Sequence, residues 1–90
     1  MKLPIHYPTT HWAIRKKVRE EYVKRQNNLC YHCGKPLDVK PKRTRQITES
    51  LFPPNFMKWP IHLHHDHDTG MTIGAVHAYC NAVLWEYHGE

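Results

Sequence analysis

Apolar residues near the N-terminus recur at fourfold spacing, which places them on one face of a helix from about residue 11 to residue 27. Thr9 or Thr10 is the predicted N-cap. The apolar stripe consists of Ile14, Val18 and Tyr22, extended by Trp12. The other side of the helix carries Arg15, Lys16, Arg19 and Lys24. This basic side either faces solvent or contacts a phosphate backbone.

The C-terminal third has a different pattern. Residues 61–65 and 71–76 are two short segments joined by residues 66–70, whose Asp-Thr-Gly end favours a turn, so we expect a hairpin. From Ala78 to about His88 there is no helix breaker before Gly89, which predicts a short helix. Between the two halves, prolines interrupt residues 38–60. We expect a long ordered insertion there, with part of its aromatic content packed down.

These elements predict an α+β fold in a single domain of 90 residues. The segments are an N-terminal basic helix (1–28), a cysteine-bearing knuckle (29–37), a basic and aromatic insertion (38–60) and a hairpin–helix unit (61–90). A chain of this length buries only a modest core and usually needs a further stabilising feature. Its three cysteines are an odd number, which argues against a closed disulfide framework and favours a metal site.

The spacing of the cysteines predicts a structural zinc site. Cys30-x-x-Cys33 supplies two thiolates, and His77-x-x-Cys80 supplies an imidazole and a third thiolate at the same spacing. Together they form a Cys₃His set that suits tetrahedral Zn²⁺ and leaves no position for a substrate. The alternative is that the cysteines are small buried hydrophobic residues and His77 a surface histidine. His32, inside the first pair, is a less favoured substitute ligand.

Charge favours a polyanionic partner, because the chain has 13 Lys and Arg against 8 Asp and Glu and a pI near 9.3. A basic cluster in the insertion, predicted to contact nucleic acid, comprises Lys40, Lys42, Arg43 and Arg45. The N-terminus has no apolar run suited to a signal peptide, and no stretch approaches membrane-spanning length. We therefore expect a cytoplasmic protein without a membrane partner, either monomeric or homodimeric.

The chain contains nine histidines, several of them in the hairpin region. Successive side chains of a strand point to opposite faces, so His64 and His65 are expected to diverge. One can then hold a metal ion while its neighbour, on a distorted strand end, orients a water molecule. The alternative is a histidine-rich surface patch without an ordered site.

Residues 62–70 (HLHHDHDTG), Gly74 and residues 77–82 (HAYCNA) resemble the core of HNH endonucleases, also called ββα-metal or His-Me finger nucleases. The similarity is closest to the zinc-bearing branch typified by phage recombination endonuclease VII. It extends over residues 29–85, with little correspondence in 1–28 and 38–60. The family has a hairpin and a helix that clamp one divalent catalytic ion, with zinc knuckles holding the two together. The resemblance therefore implies a small ββα-metal domain.

The resemblance also implies roles for individual residues. His64 and Asn81 correspond to ligands of the catalytic ion, His65 to the general base, and His67 to a histidine near the scissile phosphate. The two knuckle pairs correspond to the four zinc positions. Two departures are His77 in place of a cysteine and His64 in place of an aspartate, so the catalytic ion is Mg²⁺, Mn²⁺ or a softer metal.

Three further residues have no single assigned role. His62 and Asp66 are expected either to orient a neighbouring imidazole or, for Asp66, to cap the turn. His88 lies on the same helix face as Asn81 and is a weak match to a later histidine ligand of colicin-type members.

The sequence thus predicts a metal-dependent endonuclease that hydrolyses DNA phosphodiesters, by nicking or by double-strand cleavage, leaving 5′-phosphate and 3′-hydroxyl ends. The main alternative is a non-catalytic zinc-knuckle adaptor that grips nucleic acid. A third hypothesis is an interaction subunit that docks through the aromatic residues of 52–59.

Overall fold

The computed structural model describes residues 1–88 of the chain. It contains helix α1 (Trp12–Arg25), strands β1 (Ile61–His65) and β2 (Thr72–His77), and helix α2 (Ala78–His88). The strands form an antiparallel two-stranded sheet, which confirms the predicted α+β class. Residues 89–90, the end of the predicted hairpin–helix unit, lie outside the described residues. No helix within 1–88 is long and apolar enough to cross a membrane.

The turn of the hairpin is closed by the backbone and one carboxylate. Asp66 Oδ1 accepts hydrogen bonds from the backbone N–H groups of Asp68 at 2.8 Å and Thr69 at 3.0 Å. Gly70 adopts φ +75°, a left-handed conformation that glycine tolerates best. Its carbonyl accepts a hydrogen bond from Tyr7 N–H at 2.7 Å. The turn therefore also anchors the N-terminal segment.

Helix α1 begins differently from the prediction. The N-cap is His11, whose Nδ1 accepts from Ala13 N–H at 3.2 Å, so the assignment of Thr9 or Thr10 as N-cap was wrong. The Thr10 hydroxyl instead donates to the His6 carbonyl at 2.7 Å. Thr10 cannot cap the helix because its side chain stabilises the preceding turn.

The apolar stripe of α1 is only partly buried. Val18 is 1% exposed, whereas Ile14 is 50% and Trp12 is 69% exposed. The part of the helix that faces the hairpin also includes Arg15 and Arg19, both partly buried. The stripe prediction fails at its N-terminal end because the helix crosses a polar, histidine-bearing surface there, and cations occupy the inward positions.

The core is centred where the knuckle, β2 and α2 meet. Its buried members are Cys30, Leu37, Ala75, Val76, Tyr79, Cys80, Val83 and Leu84. Partly buried apolar side chains from α1, the insertion and β1 pack against it: Tyr22, Val23, Ile47, Met57 and Ile61. Since two of the predicted zinc ligands belong to this cluster, the packing of the core and the geometry of the metal site depend on each other.

Gln26, just after α1, completes the free edge of β2. Its Oε1 accepts from Ala75 N–H at 2.9 Å, and its Nε2 donates to the Ala75 carbonyl at 2.9 Å and the Leu29 carbonyl at 2.8 Å. Tyr31 N–H also donates to the Ala75 carbonyl at 3.0 Å. The side chain thereby replaces a neighbouring strand and ties α1 and the knuckle to the sheet.

The insertion is ordered along α2. The Tyr79 hydroxyl accepts from Arg45 N–H at 2.8 Å, and Glu86 accepts from Thr48 N–H at 2.9 Å. Further along, Phe52 lies edge-on to Trp85 with ring centroids 5.4 Å apart. These contacts pack part of the aromatic segment against the fold.

Candidate metal centre and active-site cleft

The four predicted zinc ligands converge at one point. The ligand atoms of Cys30, Cys33, His77 and Cys80 all lie within 4.8 Å of one another. The first pair lies on a tight knuckle turn, in which Gly34 adopts φ +74° and its N–H donates to the Cys30 carbonyl at 2.9 Å. The second pair spans the junction from the last residue of β2 to the first turn of α2. These side chains are positioned to bind a metal ion.

Hydrogen bonds select the ring nitrogen that His77 offers to the ion. Its Nε2 lies 2.9 Å from the carbonyl oxygens of both Pro36 and Val39, so it carries the proton and donates it there. Its Nδ1 faces the thiols, 3.4 Å from Cys33 Sγ and 3.6 Å from Cys80 Sγ. The unprotonated Nδ1 is therefore the ligand atom, and the carbonyls fix the orientation of the ring.

The charge state of the thiols also suits a cation. A hydrogen bond from Cys80 lowers the pKa of Cys30, which favours the thiolate form of Cys30. The same bond and burial raise the pKa of Cys80. A bound cation offsets the repulsion between neighbouring thiolates and stabilises all three in the deprotonated form.

A separate cleft of about 890 Å³ contains most of the predicted catalytic residues. It lies among α1, β1, the insertion and α2. His65, His67, Asn81 and the unassigned His62 line this cleft. His64 is buried, with 3% exposure, and is not among the residues that line it. The structure thus brings together three of the four predicted catalytic residues, with His62 beside them.

An irregularity in β1 explains how His62 and His65, which are three residues apart on the strand, both reach the same cleft. Regular alternation would place His62 and His65 on opposite faces. The pairing shifts register between His64, opposite Gly74, and His65, opposite Thr72. Such a shift redirects the side chains of a strand locally. It agrees with the expectation of a distorted strand end at His65.

His65 is held in a stack of rings. Its imidazole lies parallel to the Tyr7 ring, with centroids 4.1 Å apart and an interplanar angle of 5°. The guanidinium of Arg15 lies 4.0 Å from the centre of the same Tyr7 ring. The His67 ring is edge-on to His65 at 5.0 Å. Burial, followed by the nearby His67, His64 and Arg15, lowers the pKa of His65, so its imidazole is neutral at pH 7.

His62 and Asn81 form the second pair in the cleft. Asn81 Nδ2 donates to His62 Nδ1 across 3.1 Å. Phe56 packs edge-on against the His62 ring at 4.6 Å. Burial lowers the pKa of His62, and hydrogen bonds with the Phe56 and Trp59 backbone oppose this shift. The insertion therefore orients His62, and His62 in turn contacts the amide of Asn81.

The cleft is electropositive. Arg15, Lys16 and Arg19 of α1 line it, and the described residues that line it include no aspartate or glutamate. The basic side of α1 therefore faces the histidines. This arrangement favours an anionic ligand because no carboxylate offsets the cations.

The predicted basic cluster of the insertion lies elsewhere. None of Lys40, Lys42, Arg43 and Arg45 lines the cleft. The guanidinium of Arg43 lies 5.3 Å from the Tyr79 ring centre, and that of Arg45 lies 5.0 Å from that of Tyr87. Arg43 and Arg45 therefore lie against α2, and the contact of all four basic residues with nucleic acid stays a prediction.

The structure shows the contacts of Asp66 and His88, whose roles the sequence left open. Asp66 caps the hairpin turn, one of the two roles considered for it. His88 is exposed, contacts the His32 ring at a centroid distance of 6.2 Å, and does not line the cleft.

Comparisons with models of known protein families, with characterised proteins and with solved structures gave no match.

Tyr7 and Gln26 were not identified from the sequence. The stacking of Tyr7 on His65 depends on the N-terminal segment pairing with the hairpin, where His6 bridges to Met71. Nothing in the spacing of residues 1–10 indicates that contact. For Gln26, a polar residue just beyond a helix has no feature that distinguishes it from a solvated one.

Proposed function

We propose that this chain is a metal-dependent HNH-type endonuclease that hydrolyses DNA phosphodiesters. The observation that carries the proposal is the convergence of His65, His67 and Asn81 in one cleft bordered by the cations of α1. A base, a polar ligand residue and phosphate-binding cations are the groups that metal-assisted phosphodiester hydrolysis requires. The resemblance of residues 62–82 to the HNH core supports the same reaction.

We assign the Cys₃His centre to a structural Zn²⁺ ion. Thiolate and imidazole ligands suit zinc, and four protein ligands close its coordination shell. The ion links the knuckle to the junction of β2 and α2. Since β1 and α2 supply the cleft residues, the zinc holds the catalytic hairpin and helix in register without taking part in the reaction.

His65 is the proposed general base. Its lowered pKa keeps the imidazole unprotonated at neutral pH, so it can accept a proton from water. The hydroxide formed attacks phosphorus in line with the departing 3′ oxygen. Tyr7 fixes the plane of the ring through their stacking. His67, whose ring contacts that of His65, is the residue that we propose to contact the phosphate.

The catalytic divalent ion would be held by Asn81 and a histidine. The family resemblance designates His64. His62 is a second candidate because it lies beside Asn81 in the cleft, and the hydrogen bond from Asn81 Nδ2 to His62 Nδ1 would have to break for both side chains to bind the ion. An amide oxygen with an imidazole nitrogen fits Mn²⁺ and softer ions as well as Mg²⁺. When bound, such an ion stabilises the charge that develops on the phosphoryl and leaving oxygens.

A plasmid-nicking assay tests the proposal. Purified zinc-loaded protein should nick supercoiled DNA only when Mg²⁺, Mn²⁺ or another divalent ion is added. A non-catalytic adaptor, the main competing function, would bind the plasmid at the same concentrations and leave it intact. Binding without nicking under every metal condition would therefore exclude the enzyme and favour the adaptor.

Titration of the divalent metal into three variants identifies which candidate residues bind the ion. The variants are Asn81→Ala, His64→Ala and His62→Ala. Removal of a true ligand raises the metal concentration needed for half-maximal nicking, because the remaining donors bind the ion less tightly. His88→Ala is the matched control, since this histidine is on α2 but outside the cleft. A normal metal response in Asn81→Ala would contradict the assignment.

A further inference from the structure

Resting on the proposed function, we propose that the cleft accepts an unpaired stretch of DNA, with its bases stacked on tryptophan and its phosphates on the α1 cations. The preferred substrate would then be single-stranded DNA or a duplex with an unpaired segment. The cleft has an aromatic lining that the proposed catalytic histidines do not explain.

All three tryptophans of the chain, Trp12, Trp59 and Trp85, line the cleft. Two of them remain largely open to solvent, since Trp12 is 69% and Trp59 is 62% exposed. Neither ring is needed by the core cluster, which includes no tryptophan. Exposed aromatic residues gathered beside a cationic surface are typical of sites that bind a ligand.

The cations stand next to these rings in a regular arrangement. Arg15, Lys16 and Arg19 follow Trp12 by three, four and seven positions along α1, which places all four on one helix face. Lys58 adds a cation 5.5 Å from the Trp59 ring centre. Alternating base and phosphate along one DNA strand matches this pairing of rings with positive charge.

Unpaired DNA fits this surface better than a duplex. In a duplex each base is covered by its neighbours, and only its edges are open in the grooves. A tryptophan ring stacks on the face of a base, which is accessible only when the base is unpaired. The phosphates of a continuous duplex would contact the cations, but no base face would be available to stack on either exposed tryptophan. The aromatic lining therefore favours unpaired over duplex DNA, a preference that the positive charge alone would not give.

Binding can be measured on the zinc-loaded protein without added divalent ion. Three ligands of equal length, about 12 nucleotides, should be compared: oligothymidylate, an abasic strand and a blunt duplex. Because every tryptophan lines the cleft, intrinsic fluorescence reports on that region. We expect oligothymidylate to quench it and to bind at least about tenfold more tightly than either other ligand.

Variants should separate stacking from charge, with labelled oligonucleotides followed by anisotropy. Trp12→Leu should weaken oligothymidylate binding by about 5- to 150-fold with little effect on the abasic strand, and Trp12→Phe should restore part of the loss. Lys16→Ala should reduce the salt slope by about 0.7. Lys17→Ala, adjacent on α1 and outside the cleft, should leave the slope unchanged.

Equal affinity for the three ligands, or unchanged binding in Trp12→Leu, would overturn the inference. Neither result would affect the proposed cleavage, which is scored by metal-dependent nicking. Selective binding of oligothymidylate by a protein that never nicks DNA would instead uphold this inference and reject the enzyme.

Discussion

Replacing Cys80 by serine should unfold the protein, because two of the four predicted metal ligands are also members of the buried core. Cys80 is 2% exposed and belongs to the same buried cluster as Cys30. Structural zinc sites contribute on the order of 10–16 kcal/mol. The net stability of a domain is about 5–15 kcal/mol, and a chain of 90 residues is expected near the lower end. The metal contribution is as large as the whole net stability, so a variant that no longer holds the ion is expected to unfold.

The assay combines metal content with thermal unfolding followed by circular dichroism. Wild-type protein should contain one equivalent of zinc and unfold cooperatively, whereas Cys80→Ser should lack both properties. His32→Ala is the matched control, because this exposed histidine lies between Cys30 and Cys33 but is not part of the ligand cluster. A Cys80→Ser protein with full zinc and an unchanged melting temperature would refute the assignment. Zinc loss in His32→Ala would show that His32 is a ligand.

Three further predictions concern the surroundings of the cleft and sheet. Tyr7→Ala should expose His65 and raise its pKa towards 6.5, so the acid limb of the cleavage pH profile moves to higher pH; an unmoved limb would contradict the stacking argument. Gln26→Leu leaves the Ala75 N–H on the β2 edge without its partner and should lower the free energy of unfolding in denaturant by about 1–3 kcal/mol. Gly70→Ala should also lower stability, since its φ is +75° and a Cβ would lie 2.7 Å from His6; full stability would show that the turn adapts.

The parts of the fold that were predictable depend on local patterns. The hairpin follows from two short segments around a turn, and α2 from an uninterrupted run that begins at Ala78. The metal quartet was predictable because each ligand pair has the same spacing, and the structure brings the pairs together. In these cases the information lies within a few residues of each element.

The missed features arise from contacts between distant segments. The ring stack on His65 requires Tyr7, which reaches it because the N-terminal segment pairs with the hairpin, where Gly70 accepts the Tyr7 N–H and His6 bridges to Met71. Helix α1 buries Val18 but exposes Ile14, since the surface beneath its first turns is polar. Periodicity identifies an amphipathic helix but does not reveal the polarity of the surface that it will meet. For the same reason, the sequence did not indicate that the cations of α1 face the histidines.

The proposed role of His65 as the base of a metal-dependent cleavage reaction is tested most directly by measuring single-turnover cleavage with the His65→Ala variant. The rate should fall by about 10²–10⁴, the usual contribution of general-base catalysis. Zinc content, melting temperature and DNA affinity should stay close to wild type, because His65 lies outside both the metal cluster and the buried core. A folded, DNA-binding His65→Ala protein that cleaves at the wild-type rate would show that His65 is not the base.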